Sequence, residues 1–111
     1  MSKYAVYQIP FDAMREAMGN DGWDSKHPLV RAYLRVTLGA EEYRPELFEF
    51  YEHVMNIEAE GLEDSFKISN IGPVENIESL SKHTSMSVGN IVIDPEGKKW
   101  FVDSFGFEEI S

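Results

Sequence analysis

Apolar and polar positions change period several times along the chain, and each change predicts an element. "KYAVYQIP" interleaves Tyr4, Val6 and Ile9 with Ala5, Tyr7 and Gln8, and its β-branched and aromatic content with the Pro10 stop predicts a strand. "FDAMREAMG" then sets Phe11, Met14 and Met18 at helical spacing ahead of Gly19, which predicts a short helix. "NDGWDSK" is a turn-rich loop carrying Trp23. From Ser25, which can cap, and Pro28, which suits a first turn, Leu29, Val30, Tyr33, Leu34, Thr37 and Leu38 recur on one face before Gly39. That run predicts a helix packed on the core.

The middle of the chain is harder to divide. In "RPELFEFYEHVMNIEAEG", Leu47, Phe50, Tyr51 and Val54 fit a helix whose opposite face gathers Glu42, Glu46 and Glu49. Beyond Tyr51, neither period separates Tyr51, His53, Met55 and Ile57 from Val54, so a helix is expected to give way to a strand near Tyr51. "GLEDSFKISNIGP" predicts a short helix from Leu62, with Phe66 one turn on and Gly72 and Pro73 as stops. "VENIESLSKHTSMS" is a polar connector with room for one helical turn. "NIVID" and "KWFVDS", joined by "PEGK", form a β-hairpin through Pro-x-Gly turn chemistry. The whole, residues 1–111, is expected to be a single α+β domain: a few helices on a small, mainly antiparallel sheet with a C-terminal hairpin.

Composition narrows the function classes. Hydrophobic residues are 42% and aromatics 13% of 111 residues, enough for one core and too apolar for a disordered chain. There is no cysteine, so disulfides and thiolate metal sites are excluded. The start, "MSKYAVYQIPFDAM", has no apolar leader and no run approaches the roughly 18 residues of a spanning helix. A soluble protein of the bacterial cytoplasm is the expectation.

Charge changes the picture more. Twenty acids against ten Lys and Arg give a net charge of −10, which disfavours direct contact with a phosphate backbone. Lys98 and Lys99, beside Trp100, are the one local basic group. Between residues 41 and 64 stand Glu41, Glu42, Glu46, Glu49, Glu52, Glu58, Glu60, Glu63 and Asp64, nine acids against Arg44 alone. Such a run is either a solvated face or a surface for a basic partner.

The chemistry available for catalysis is sparse. His27, His53 and His83 show no metal-ligand spacing, and no glycine pattern matches a phosphate-binding loop, so neither metal nor cofactor is expected. His83, Ser85 and Asp103 have the residue types of a base, nucleophile and orienter, but no nucleophile elbow is present. The competing reading makes Ser85 and Ser87 backbone partners where the loop becomes a strand, with Asp103 and Ser104 ending the next strand. If the region were a pocket, His83, Ser85, Ser87, Asp103, Phe105 and Phe107 would line it. Val88, Ile91, Ile93, Phe101, Phe105 and Phe107 are the expected core contacts of the hairpin.

"HTSMSVGNIVID" followed by "KWFVDSFGFEEI" resembles the signature of YodL-like domains of phages, plasmids and conjugative elements. In these, an H-S-[ML]-S-V-[GS]-D lead-in precedes a hairpin ending in VDSFGF or APFGF. The matching positions are Ser85, Met86, Ser87, Val88 and Gly89, then Asp103, Ser104, Phe105, Gly106 and Phe107. "YEHVMNIEAEGLEDSFKISNIGP" resembles the acidic segment of the same family, so the likeness covers about residues 50–110, and "YAVYQIP" is a weaker match. Asn90 stands where the family has Asp, and residues 11–49 have no counterpart.

The resemblance implies a mobile-element accessory protein, among antirestriction, replication and transfer functions, and names no reaction. Three functional readings stand at this point. One is a non-enzymatic protein whose acidic residues engage a host or phage protein, basic or nucleic-acid-binding. The second is a DNA mimic acting against host defence. The third is a small-ligand binder or enzyme centred on His83, Ser85 and Asp103.

Overall fold

The computed structural model describes residues 1–110. Six strands, β1 (Ser2–Gln8), β2 (Glu52–Ala59), β3 (Ile77–Ser79), β4 (Ile91–Ile93), β5 (Lys99–Asp103) and β6 (Gly106–Ile110), form one sheet in the order β3-β2-β1-β4-β5-β6. Every neighbouring pair is antiparallel. The helices are α1 (Phe11–Met18), α2 (Pro28–Val36) and α3 (Leu62–Ile71), with 3-10 turns between α2 and β2. The fold is α+β, in agreement with the hydrophobic patterning.

Both faces of the sheet are covered, and strand alternation sorts side chains between them. Tyr4, Val6, Met55, Ile57, Val92 and Val102 share one face with Ile68 of α3 and with Met86. Tyr7, Ile91 and Phe101 point the other way, against Ala32 and Val36 of α2 and against Leu47, Phe48 and Phe50. The first strand is therefore central and buried on both sides, which is why "YAVYQI" is nearly all apolar.

Several expectations need correction. Helix α2 is capped by His27, whose Nδ1 accepts the Leu29 N–H at 3.1 Å. Ser25 instead accepts the His27 N–H at 3.1 Å and donates to the Ala17 carbonyl at 3.2 Å, fastening α2 to α1. The helix stops at Val36, and Leu38, assigned to its buried face, is exposed. "PELFEF" is a 3-10 stretch, Pro45–Phe50, so Glu42, Glu46 and Glu49 do not share an α-helical face.

The loss of period near Val54 is a β-bulge. Val6 pairs with Met55 and Tyr7 with His53, which leaves Val54 as an extra residue, buried beside Met55. The polar connector hides β3, and "GFEEI" adds β6, so the expected hairpin is two strands of a three-stranded meander. Ile91 and Phe101 are fully buried as core residues should be, whereas Val88, Ile93 and Phe107 are half-buried. Phe105 is 103% exposed at the turn between β5 and β6 and is not a core residue.

Candidate functional site

The segment from Leu80 to Asn90 has no regular structure, so its backbone needs partners elsewhere. The bulge supplies the first: the Val54 carbonyl accepts the N–H groups of Leu80 and Ser81, at 2.9 and 3.2 Å. Gln8, the last residue of β1, supplies the next. Its Oε1 accepts the Thr84 N–H at 3.2 Å and its Nε2 donates to the Thr84 carbonyl at 3.0 Å, so the side-chain amide pairs with Thr84 as a strand backbone would.

The same Nε2 donates to Oδ1 of Asn90 at 3.1 Å, and that oxygen also accepts the Ser87 N–H at 2.9 Å. On the α3 side, Ser69 Oγ accepts the Met86 N–H at 2.7 Å and Asn70 Nδ2 donates to the Met86 carbonyl at 3.3 Å. Met86 is thereby set in the core. Gln8 and Asn90, both buried, form the polar hub of this loop.

That hub takes the part expected of Ser85 and Ser87, whose hydroxyls form no hydrogen bond among the described residues. The signal was present in the sequence. Tyr4, Val6 and Gln8 alternate onto one buried face, and an amide there must find partners.

His83 is similarly occupied. Its Nε2 lies 2.8 Å from Ser79 Oγ and its Nδ1 3.1 Å from the Thr84 carbonyl, a pairing met by the tautomer protonated at Nδ1. Asp103 is elsewhere: Oδ1 accepts the Ser104 N–H at 2.8 Å and Oδ2 the Ala40 N–H at 3.4 Å. Since β3, which carries Ser79, lies four strands from β5, about 19 Å at ~4.8 Å per strand, His83 and Asp103 do not meet. His83, Ser85 and Asp103 form no triad.

The loop does border a cleft of about 750 Å³, closed on the far side by Pro10 with Phe11 and Arg15 of α1, and by Tyr33 and Val36 of α2 with the following Thr37. His83, Ser85 and Ser87 line it, and Asp103, Phe105 and Phe107 do not.

The acidic segment divides. Strand β2 is eight residues long, roughly 23 Å end to end at ~3.3 Å per residue, and it carries Glu41, Glu42, Glu46, Glu49 and Glu52 away from Glu60, Glu63 and Asp64. Glu41 to Glu52 are mixed with bases: Glu42 lies 3.9 Å from Arg35, and Arg44 holds the carbonyls of Glu41 and Tyr43. At the other end, Glu60, Glu63 and Asp64 meet Asp94 and Glu96 of the β4–β5 turn around a shallow recess lined by no Lys or Arg. Glu58 is exposed on β2, opposite Lys3 of β1.

Two of these carboxylates are structural. Asp64 Oδ2 accepts the Glu60 N–H at 2.9 Å ahead of α3. Asp94 accepts the N–H groups of Glu96 and Lys98 and the Trp100 indole N–H, each at 2.9 Å. Desolvation alone would raise the Asp94 pKa, but these hydrogen bonds, with the nearby charge of Lys98, outweigh it and hold the carboxylate below its usual range. No group of three or more His, Asp or Glu fit to hold a metal ion occurs among the described residues. None of their helices is long and apolar enough to cross a membrane.

Two tyrosines behind the cleft have a pH consequence. The Tyr51 hydroxyl donates to the Gly89 carbonyl, and the Tyr43 hydroxyl is buried without a partner. Burial, followed by Tyr43 for Tyr51 and by Glu46 for Tyr43, raises both phenols above the ordinary 10.0. Raised folded values mean that the unfolded chain releases these protons first, so their stabilisation is complete below about pH 10 and is lost as pH rises beyond it. Urea midpoints should therefore fall between about pH 9 and about pH 11, with a shallower fall in Tyr51→Phe. At neutral pH, Tyr51→Phe should cost about 1–2 kcal/mol by stranding the Gly89 carbonyl, whereas Tyr43→Phe should be neutral or stabilising. A larger loss for Tyr43→Phe than for Tyr51→Phe would overturn this assignment.

Compared with protein-family models, curated proteins and solved structures, the chain finds no match.

Proposed function

We propose that this chain is a non-enzymatic accessory protein of a phage or conjugative element, of the YodL-like kind, that binds a basic host or phage protein through the acidic end of its sheet. The observation that carries the reading is the recess where Glu60, Glu63, Asp64, Asp94 and Glu96 converge with no Lys or Arg in its lining. Desolvating a basic side chain against several carboxylates, none of them in an ion pair among the described residues, gives both steering and register, which isolated surface charges do not. Only two ion pairs form among the described residues, Arg35–Glu42 and Lys82–Asp12, so most of the twenty acids keep their charge uncompensated.

The non-enzymatic part rests on His83: its Nδ1 faces the Thr84 carbonyl and no orienting carboxylate, and its Nε2 meets the Ser79 hydroxyl, which lies outside the lining of the cleft. A partner that itself binds DNA would make the protein a decoy, and competition by duplex DNA for the same partner reads that out.

Capture from a bacterial lysate at low and high salt is the test. A basic protein should be retained at low salt and released as added salt shortens the screening length to a few ångströms, about 3 Å at 1 M. Retention of nothing, or of the same proteins at both salt concentrations, contradicts the proposal.

A further inference from the structure

The cleft beside the loop lies apart from the acidic recess and has different chemistry. Its walls are fixed in advance, because Gln8, Asn90, Ser69 and Asn70 fasten the loop from Thr84 to Met86 and the adjoining Ser87. Its volume, about 750 Å³, suits a small molecule.

Two of the ten bases stand in the lining, in a protein whose average surface is strongly negative. Arg15 meets no carboxylate; its guanidinium lies 6.0 Å from the centre of the Phe11 ring. Lys82 lies 3.1 Å from Asp12, but with side chains 83% and 61% exposed, a pairing that a ligand displaces at small cost. Phe11, half open to solvent, and the half-buried Tyr33 provide apolar surface, while the Ser85 and Ser87 hydroxyls are uncommitted. Glu52 is the one acid of the lining without a basic partner, and it opposes a second negative charge.

We propose that this cleft binds a monoanionic carboxylic acid with an aromatic or alkyl body, its carboxylate held by Arg15 and Lys82 and its body against Phe11 and Tyr33. A guanidinium fork matches a carboxylate in geometry as well as charge. Glu52 turns the site against dianions such as phosphate monoesters.

The experiment is an amide NMR titration of the whole chain with phenylacetate, 2-phenylethanol and phenyl phosphate. Phenylacetate should give saturable shifts confined to residues 11–15 and 82–89, at about millimolar affinity for a fragment of this size. 2-Phenylethanol, lacking the charge, and phenyl phosphate, carrying two, should each bind at least about fivefold more weakly. Arg15→Gln with Lys82→Gln should weaken phenylacetate about tenfold with an unchanged melting temperature, since both side chains are exposed. Ser85→Trp, crowding the cleft from the loop, should block it by a route independent of charge. Equal binding of the neutral compound, full affinity in the double variant, or no saturable shift by about 10 mM would each overturn the proposal.

Discussion

Replacing Gly89 by alanine should destabilise the protein by about 2–4 kcal/mol, the largest loss expected from adding one methyl group. Gly89 has φ of 97°, a conformation that L side chains rarely adopt, and a Cβ there would lie 3.2 Å from Val36 Cγ2 and 3.3 Å from the Val36 carbonyl oxygen. The tight contact includes backbone at the end of α2 as well as the Val36 side chain, and that backbone gives way less readily than a side-chain tip. Gly89 is also tied by its N–H to the Val102 carbonyl at 2.9 Å and by its carbonyl to Tyr51, so the strain cannot relax by moving the loop. Gly97, with φ of 88° and open space around its Cβ position, is the matched control. Gly97→Ala should cost only the backbone term, about 1 kcal/mol. Thermal melts of the two variants decide the matter, and equal shifts would show that the loop is not pressed against α2.

The second large effect belongs to Asn90. Its Oδ1 receives two hydrogen bonds, from Gln8 Nε2 and the Ser87 N–H, in a buried position. Asn90→Leu should cost about 2–4 kcal/mol by leaving those donors without an acceptor. Asn90→Asp keeps an oxygen in place for both donors and should cost less than half as much. Unfolding in urea measures the difference, with Gln8→Leu expected to be strongly non-additive with Asn90→Leu because the two residues share one network. Equal losses for Leu and Asp would mean that the oxygen at this position is not what holds the loop. Asn at this position supplies the acceptor without burying a charge.

How far the sequence could be read follows from which interactions are local. The strand Ser2–Gln8, the helices starting at Phe11, Pro28 and Leu62, and the Pro95–Gly97 turn depend on neighbours a few residues away, and their side-chain periods display them. The bulge at Val54 does not. It places two consecutive apolar residues on one side, which erases both periods, and its carbonyl serves Leu80 and Ser81 from a distant segment.

Strand β3 is equally hidden, since only three residues pair and two of them are exposed. The cap at His27 was missed because serine is the commoner capping residue, yet Ser25 bonds across to α1 instead. For the candidate site, the importance of the "HTSMSVGN" stretch was legible while its physical role was not. Ser85 and Ser87 carry the hydroxyls that attract notice in a sequence, but Gln8, more than seventy residues away, makes the contacts with Thr84.

Charge was legible in amount and misleading in place. A run of acids reads as one surface only if the chain does not turn, and β2 sends the two halves of this run to opposite ends. The converging carboxylates come from residues 60–64 together with Asp94 and Glu96, which lie far apart in the chain.

The division sets the decisive comparison. The affinity of a captured basic partner should be measured for the wild type, for Glu60, Glu63 and Glu96 all changed to Lys, and for Glu42, Glu46 and Glu49 all changed to Lys. The first variant should lose about a hundredfold, against a change of about threefold or less for the second, at physiological salt. Equal losses, or the larger loss from the second, would contradict the assignment of the binding face to the recess.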